Sequence, residues 1–214
     1  MNASTGKRVH LAVYDSLADW ETGHTTAYLA RAGYEVLTVG PGREPVVSIG
    51  GLRITPDLVL DELCPEDSSL LILPGADLWT RPAASPVAAG TNGLAPFARA
   101  ARAFLDAGVP VAAICGATAG LAREGLLDER AHTSASPYYL AGVTGYAGGE
   151  RYVETDAVTD GALITAGPTE PVALAREVFR LLGVYEGEVL DAWYRLYHDS
   201  DAEAYHVLQR AGTP

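Results

Sequence analysis

The sequence predicts a doubly wound α/β fold, in which a mostly parallel sheet is flanked by helices on both faces. The first observation is a strand, a helix and a second strand in succession, over residues 9–14, 19–32 and 34–39. The second is that a later strand, residues 109–114, is short and continuously apolar, as strands covered on both faces are. Strand–helix–strand units join parallel strands through right-handed crossovers, so the two observations predict one open, parallel sheet.

Apolar runs, helical spacing and end signals predict the individual elements. In the first helix, Trp20 and Ala27 to Leu29 recur at helical spacing, and Gly33 ends it. Further strands are predicted at residues 69–73 and 109–114, and further helices at residues 96–107, 118–124, 174–182 and 189–208, the last segment forming one or two helices.

Three segments depart from this alternation. Residues 46–54 and 152–165 each contain two short β runs around a turn, which predicts hairpins at the sheet edges. Residues 79–92 are rich in Pro, Ala, Gly and Ser and predict a mobile loop.

In doubly wound folds the functional site lies beyond the carboxyl ends of the strands. The candidate positions are therefore the residues after Tyr14, Leu73, Ile114 and Thr133.

Length and composition predict a single domain over residues 1–214, with a core at about 8–183 and a C-terminal helical extension at 186–211. The formal net charge of −12 disfavours binding to nucleic acid. No run approaches the roughly 20 apolar residues of a membrane span, and the polar start carries no targeting signal, so we expect a cytoplasmic protein that does not bind membranes.

The sequence has two cysteines, too few for a disulfide scaffold in a chain of this size. No metal-ligand spacing or phosphate-binding glycine loop is present, so no metal and no cofactor is predicted.

Cys115 is the first candidate catalytic residue. It directly follows the apolar strand and precedes a predicted helix, and its neighbours at two positions on either side are the small residues Ala113 and Ala117. These are the steric requirements of a nucleophile elbow, with cysteine in place of serine. The N–H groups that begin the helix are expected to favour thiolate over thiol. The alternative is a small buried cysteine with a packing role.

Glu21 and the segment 73–77 are the second and third candidates. Glu21 follows the first strand, so its carboxyl would share a sheet edge with Cys115; a surface carboxylate at a helix N-terminus is an equally good interpretation. The strand ending at Leu73 turns sharply through a Pro-Gly pair. Backbone N–H groups of Gly75 or Ala76, together with that of Gly116, could form an oxyanion pocket.

These segments together resemble the ThiJ/PfpI superfamily, which has the class I glutamine amidotransferase-like fold. The resemblance covers about residues 9–182 and rests on residues 113–121, 125–128 and 163–168, with Glu21 and the Leu73-Pro-Gly turn; the tail points to a bacterial subgroup. It implies that Cys115 is the reactive cysteine and that Glu21 is a protonated carboxyl donating a hydrogen bond to the sulfur or its oxidised form. It further implies backbone donors at Gly75, Ala76 and Gly116, and a homodimer.

The sequence departs from the hydrolytic members at one position. Those members carry a histidine about twenty residues after the cysteine, and Ala135 occupies that position here. His132 lies three residues earlier, and an odd offset along a strand points to the opposite face, so a structural histidine is favoured over a catalytic base. His24, one turn after Glu21, could approach the pocket or simply lie on an exposed helix face.

The remaining candidates are interpreted as structural. Cys64 lies in an acidic loop, where carboxylates raise the pKa of a thiol and make it unreactive. Aromatic residues of the C-terminal tail could stack on a ligand, but packing onto the domain or a second subunit is favoured. They are Trp193, Tyr194, Tyr197 and Tyr205.

Three functions therefore remain open from the sequence. The first is a cysteine-dependent enzyme of hydrolase or hydratase type, acting on small carbonyl or amide compounds through Cys115, with Glu21 tuning the thiol. The second is a redox or stress sensor in which Cys115 is oxidised, and the third is a ligand-binding protein without turnover. A true glutamine amidotransferase is disfavoured because the histidine base is missing.

Overall fold

The computed structural model describes residues 7–79 and 93–212, and within them it has the predicted doubly wound fold. The main sheet has seven strands, which are β1 (Arg8–Ala12), β2 (Glu35–Gly40), β5 (Leu58–Val59), β6 (Leu70–Leu73), β7 (Val111–Ile114), β8 (Ala157–Asp160) and β9 (Leu163–Ala166). A separate hairpin is formed by β3 (Val46–Val47) and β4 (Arg53–Ile54). The main sheet has the order β5-β2-β1-β6-β7-β9-β8, and every strand is parallel to its neighbour except the edge strand β8.

Helices cover both faces of the sheet, and each face has its own apolar core. They are α1 (Gly23–Arg31), α2 (Ala95–Asp106), α3 (Ala117–Arg123), α4 (Pro137–Ala141), α5 (Pro171–Leu182), α6 (Gly187–His198) and α7 (Ala204–Arg210). One core lies between the sheet and α2 and α3, around Phe97 and Phe104. The other lies under α1, α5 and α6, around Phe179 and Trp193, so the C-terminal helices pack onto the domain as expected. No helix in the described ranges is long and apolar enough to cross a membrane.

The segment after β1 differs from the predicted helix at residues 19–32. A 3₁₀ turn over Asp19–Glu21 comes first, and α1 begins only at Gly23. Trp20 is therefore 54% exposed instead of joining the buried helix face, while Glu21 is fully buried. Helical spacing does not reveal such a break, because three or four residues of 3₁₀ turn preserve nearly the same pattern.

Three β predictions also need correction. The hairpin predicted at residues 46–54 is formed by β3 and β4, but it is a separate two-stranded sheet and does not lie at an edge of the main sheet. The hairpin predicted at residues 152–165 is formed by β8 and β9, but only β8 lies at the sheet edge, since β9 also pairs with β7. No strand ends at Thr133: His132 makes one isolated bridge to Tyr152, and the Thr133 N–H donates to the Thr165 hydroxyl instead of to a ladder carbonyl. The mobile loop predicted at residues 79–92 falls, apart from Trp79, outside the described residues.

Candidate active site

The sheet order brings the carboxyl ends of β1, β6 and β7 side by side. Glu21 follows β1, Gly75 follows β6 and Cys115 follows β7, so the three residues meet at one edge, as their sequence positions predict. After β1 the chain continues to β2, which is the neighbour of β1 on one side in the sheet, and β6 is its neighbour on the other side. This is the topological switch point at which doubly wound folds hold their ligands.

Cys115 occupies a strained elbow between β7 and α3. Its φ is +57°, a left-handed conformation that few residues other than glycine adopt. The conformation is held on both sides, because the Cys115 N–H donates to the Ala166 carbonyl at 3.1 Å and the Thr118 hydroxyl donates to the Cys115 carbonyl at 2.6 Å. Ala113 and Ala117 are completely buried beside it. The elbow predicted from their small size is therefore present, and the thiol is left half-buried at the sheet edge.

Glu21 lies against the elbow with its carboxyl out of water. The Gly75 N–H donates to Glu21 Oε2 at 2.6 Å, whereas Oε1 has no hydrogen-bond partner within the described ranges. A Cβ atom on Gly75 would stand 2.9 Å from Cys115 Cβ and 2.9 Å from both carboxyl oxygens. Only glycine fits where these three residues converge. The surface-carboxylate interpretation of Glu21 is thus wrong, since the side chain is buried.

Burial raises the pKa values of both acidic groups at this edge. It raises the pKa of Glu21 to about 7, against the lowering effects of the Gly75 N–H and of the Cys115 thiol. It also raises the pKa of Cys115 to about 12, with further increases from the charge of Glu21 and from their mutual contact. The Gly116 N–H lowers the pKa of the thiol, but by less.

The expected resting thiolate is therefore not what this site favours. Between pH values of about 7 and 12, Glu21 and Cys115 together carry a single negative charge and retain one proton. The sulfur becomes a strong nucleophile only when its proton can pass to the neighbouring carboxylate. A carboxyl with a pKa of about 7 is well matched to accept that proton near neutral pH.

Comparison with known proteins identifies the family of this chain. Residues 7–181 match the DJ-1/PfpI family. The chain belongs to this family. It is 35% identical over 211 residues to "Uncharacterized protease YoaZ" of Bacillus subtilis (strain 168), a match covering 94% of this chain and 96% of the relative. It is also similar to the crystal structure of the thiJ/pfpI family protein from Bacillus anthracis, with a TM-score of 0.86, 34% identity and coverage of 95% and 96% of the two chains.

Two less similar relatives carry the names of a deglycase and a glyoxalase. "Protein/nucleic acid deglycase 2" of Escherichia coli (strain K12) is 29% identical over 181 residues, which cover 83% of this chain and 98% of the relative. A relative from Caenorhabditis elegans is named as a glutathione-independent glyoxalase. Protease, deglycase and glyoxalase names thus occur among relatives of this chain.

Two aromatic residues that the sequence did not single out support the elbow of this DJ-1/PfpI chain. The Tyr14 hydroxyl and the Trp79 indole N–H both donate to the Pro74 carbonyl, the latter at 3.0 Å. The Trp79 ring also lies over α3, where a Cβ on Gly120 would come within 2.2 Å of it. Tyr14 could have been identified from the sequence, because it lies just past the end of β1. No feature of the sequence points to Trp79.

A third residue that the sequence did not single out is Tyr139 of α4. Burial raises the pKa of its phenol, and negative charge on Cys115 raises it further. Next to α4, the Ser134 hydroxyl shares a 2.6 Å hydrogen bond with the Thr118 hydroxyl. The segment around Ala135, where a histidine was expected in hydrolytic members, therefore still contacts the elbow through Ser134.

The histidines lie outside this arrangement. His132 is buried with both ring nitrogens occupied: Nδ1 lies 2.7 Å from the Arg130 carbonyl and Nε2 lies 2.7 Å from the Tyr146 hydroxyl. The carbonyl can only accept, so Nδ1 carries the proton and Nε2 accepts from the tyrosine. Burial lowers the pKa of His132, which keeps the ring neutral and favours a structural role. His24 packs edge-on against Trp193.

The remaining candidates from the sequence are the second cysteine and the backbone donors of the oxyanion pocket. Cys64 is exposed and its thiol donates to the Glu66 carboxylate at 2.8 Å, a hydrogen bond that raises the pKa of Cys64. Of the expected oxyanion donors, the Gly75 N–H already donates to Glu21, which leaves Ala76 and Gly116 as candidates. In the described part of the chain one group of side chains could hold a metal ion, and neither Cys115 nor Glu21 belongs to it.

Proposed function

We propose that the protein is a cysteine-dependent hydratase of small 2-oxoaldehydes, which it converts to 2-hydroxy acids. The observation that carries this proposal is the pairing of a buried carboxyl of pKa about 7 with a thiol in a strained elbow, without a histidine beside them among the described residues. Peptide hydrolysis needs a general acid for a poor leaving group, whereas addition to an aldehyde needs none. The deglycase and glyoxalase names of two relatives agree with carbonyl chemistry.

The first step is addition of the Cys115 sulfur to the aldehyde carbon. An S–C bond forms, the carbonyl π bond breaks, and the thiol proton passes to the Glu21 carboxylate. The new oxyanion accepts hydrogen bonds from the Gly116 and Ala76 N–H groups and then takes the proton back from Glu21, giving a hemithioacetal. Proton transfer through a positioned carboxyl contributes roughly 10²–10⁴-fold to such steps.

The second step moves a proton between the two carbons, and the third releases the product. Glu21 removes the proton from C1 of the hemithioacetal, and the electron pair forms an enediolate. The C1 hydroxyl passes its proton to the C2 oxygen, and Glu21 returns its proton to C2. The result is a thioester of the 2-hydroxy acid on Cys115. Water then breaks the C–S bond, so that the acid leaves and the thiol regains its proton. One water molecule is added overall and no external oxidant is needed.

Turnover of methylglyoxal in deuterated water tests the proposal. We expect 2-hydroxypropanoate to form, with deuterium at C2 where the Glu21 proton exchanges with solvent. Cys115→Ser and Glu21→Gln are each expected to lower kcat/KM at least 100-fold, because each removes a reacting group. Cys64→Ser is the matched control, since that thiol is exposed and remote in sequence, and it should keep full activity. Absence of product, or equal turnover by Cys115→Ser, would refute the proposal.

A second candidate function, redox sensing, is favoured by the unpartnered Oε1 atom of Glu21. Protonated Glu21 has one more hydrogen bond to give, and an oxygen added to the Cys115 sulfur would accept it. Mild peroxide followed by intact-mass measurement tests this function. We expect one or two oxygen atoms on Cys115 in the wild type and fewer in Glu21→Ala; equal oxidation in both proteins would count against it.

We further propose that the protein forms a homodimer through an apolar patch beside the site. The patch consists of Trp20, Ile49 and Leu52, which are between 48% and 58% exposed. The β3–β4 hairpin is fixed to the turn that carries Trp20, because the Gly50 N–H donates to Asp19 at 3.0 Å. Exposed apolar groups clustered in this way mark association surfaces. Sedimentation equilibrium should give a dimer that Leu52→Glu dissociates; a monomeric wild type would overturn this assignment.

A further inference from the structure

A second group of polar side chains joins the C-terminal helix α6 to the sheet. Asp156 immediately precedes β8, Glu170 immediately precedes α5, and His198 is the last residue of α6. One potential ligand atom from each residue lies within 4.8 Å of those from the other two. The residues are far apart in the sequence, which is why no metal-ligand spacing was visible there.

We propose that Asp156, Glu170 and His198 bind a zinc ion. Zinc takes one imidazole nitrogen and carboxylate oxygens at about 2.0–2.2 Å, and three protein ligands leave a fourth position open. Tetrahedral bonds of that length separate neighbouring ligand atoms by about 3.3 Å. His198 Nε2 and Asp156 Oδ2 are 3.6 Å apart, a spacing close to that of two ligands of one ion.

The orientation of His198 is fixed by its neighbours. Its Nδ1 lies 2.6 Å from the Asp199 carboxylate, which can only accept a hydrogen bond from it. The hydrogen bond to Asp199 and the charges of the neighbouring carboxylates raise the pKa of His198. Nε2 lies 3.6 Å from Asp156 Oδ2, and a zinc ion would displace the proton of Nε2 on binding. A carboxylate that orients the far nitrogen of a histidine is the usual outer partner of a zinc ligand. The Tyr194 ring stacks on the imidazole, with ring centroids 4.5 Å apart, and fixes its plane.

The backbone under the two carboxylates is also fixed. The Gly167 N–H donates to the Asp156 carbonyl at 3.0 Å, and the Glu170 N–H donates to the Gly167 carbonyl at 3.2 Å. The ligand atoms lie within 4.8 Å of one another, so reaching the spacing of about 3.3 Å in a zinc site requires shifts of up to about 1.5 Å, which side-chain rotation can supply. Two carboxylates flank the position, and that of Asp199 contacts the other ring nitrogen of His198. The guanidinium of Arg176 lies nearby, 4.6 Å from the centre of the Tyr194 ring.

An ion at this position would face a cavity. A space of about 450 Å³ is lined by Asp156 and Glu170 together with Ser134 and Ala135. The open coordination position could therefore be taken by water or by a small anionic or carbonyl ligand in that space. Ser134 shares a hydrogen bond with Thr118, and Thr118 holds the Cys115 carbonyl, so the cavity wall contacts the elbow.

Titration of the full-length protein with Zn²⁺ alone, followed by isothermal calorimetry, tests the site. We expect one ion per chain, with affinity lowered more than 100-fold by His198→Ala and by Glu170→Gln. Asp199→Asn should weaken binding by about 10–100-fold, because it removes only the orienting partner. The matched control is His206→Ala, which removes an exposed histidine of α7. Because zinc also binds thiolates, the series is repeated with Cys64 and Cys115 both replaced by serine.

Zinc uptake that survives loss of the thiols and falls in the three site variants supports the proposal. Three results would overturn it: no stoichiometric uptake by the wild type, equal uptake by His198→Ala and Glu170→Gln, or uptake that disappears only with the thiols. In those cases His198 is an imidazolium paired with Asp156 and Asp199. All four substitutions affect partly or fully exposed side chains, and circular dichroism verifies that each variant is folded.

Discussion

The raised pKa of Glu21 makes a quantitative prediction about stability. The folded protein holds this carboxyl at a pKa of about 7, against an ordinary value of 4.5. Between these two pH values the folded state binds a proton that the unfolded state does not. The stabilising contribution is therefore fully present below about pH 4.5 and is lost as the pH rises through 7. At 1.36 kcal/mol per pKa unit, the loss is about 3 kcal/mol.

Urea unfolding of wild type and Glu21→Gln between pH 5 and pH 8.5 measures this contribution. Glutamine keeps the shape and still accepts from Gly75, but it does not titrate. We expect the variant to gain about 2.5 kcal/mol of stability relative to the wild type from pH 5 to pH 8.5, since part of the loss has already occurred at pH 5. Buried His10 and His132, whose pKa values are lowered, act in the opposite direction but equally in both proteins. Parallel stability curves for the two proteins would refute the assignment of Glu21 as a buried acid.

The remaining predictions concern packing around the same edge. Gly75→Ala should lower the free energy of unfolding by about 2–4 kcal/mol, because the new Cβ would stand 2.9 Å from Cys115 and Glu21 and disturb the Gly75 hydrogen bond. Gly23→Ala, where a Cβ meets nothing within 4 Å, should instead be neutral or stabilising by up to about 1 kcal/mol in the same urea assay. His132→Ala should lower the free energy of unfolding by about 2–3 kcal/mol, because it removes a buried, hydrogen-bonded ring. The alkylation rate of Cys115 should stay within twofold of the wild-type rate. A larger fall in that rate in a folded variant would support His132 as a catalytic base.

The general architecture was predictable because the signals are local. Each apolar run is short enough to be a buried strand, and each is followed by a helix with a clear end. Parallel pairing then places the carboxyl ends of the strands at one edge, so the meeting of Glu21, Gly75 and Cys115 follows from their positions alone. The elbow was predictable for the same reason, since small residues at 113 and 117 are a steric requirement of the turn.

The errors arise where tertiary contacts override local pattern. The break between the turn at Asp19–Glu21 and α1 is what buries Glu21, and helical spacing does not reveal it. Thr133 pairs with a threonine side chain in place of a strand neighbour. The thiolate expected from the helix is opposed by burial and by a second acid, and both effects depend on the depth of the site.

The central claim is that Glu21 accepts the proton of Cys115, and the pH dependence of Cys115 alkylation tests it most directly. The measurement uses iodoacetamide, with Cys64→Ser as the background so that one thiol is followed. In this background we expect the alkylation rate to rise through an inflection near pH 7, the pKa of Glu21. Adding Glu21→Gln should abolish that inflection and leave only a rise at alkaline pH, because burial alone raises the pKa of the thiol. Identical profiles with and without the glutamine, or a single inflection at the ordinary thiol value of about 8.5 in both, would contradict the claim.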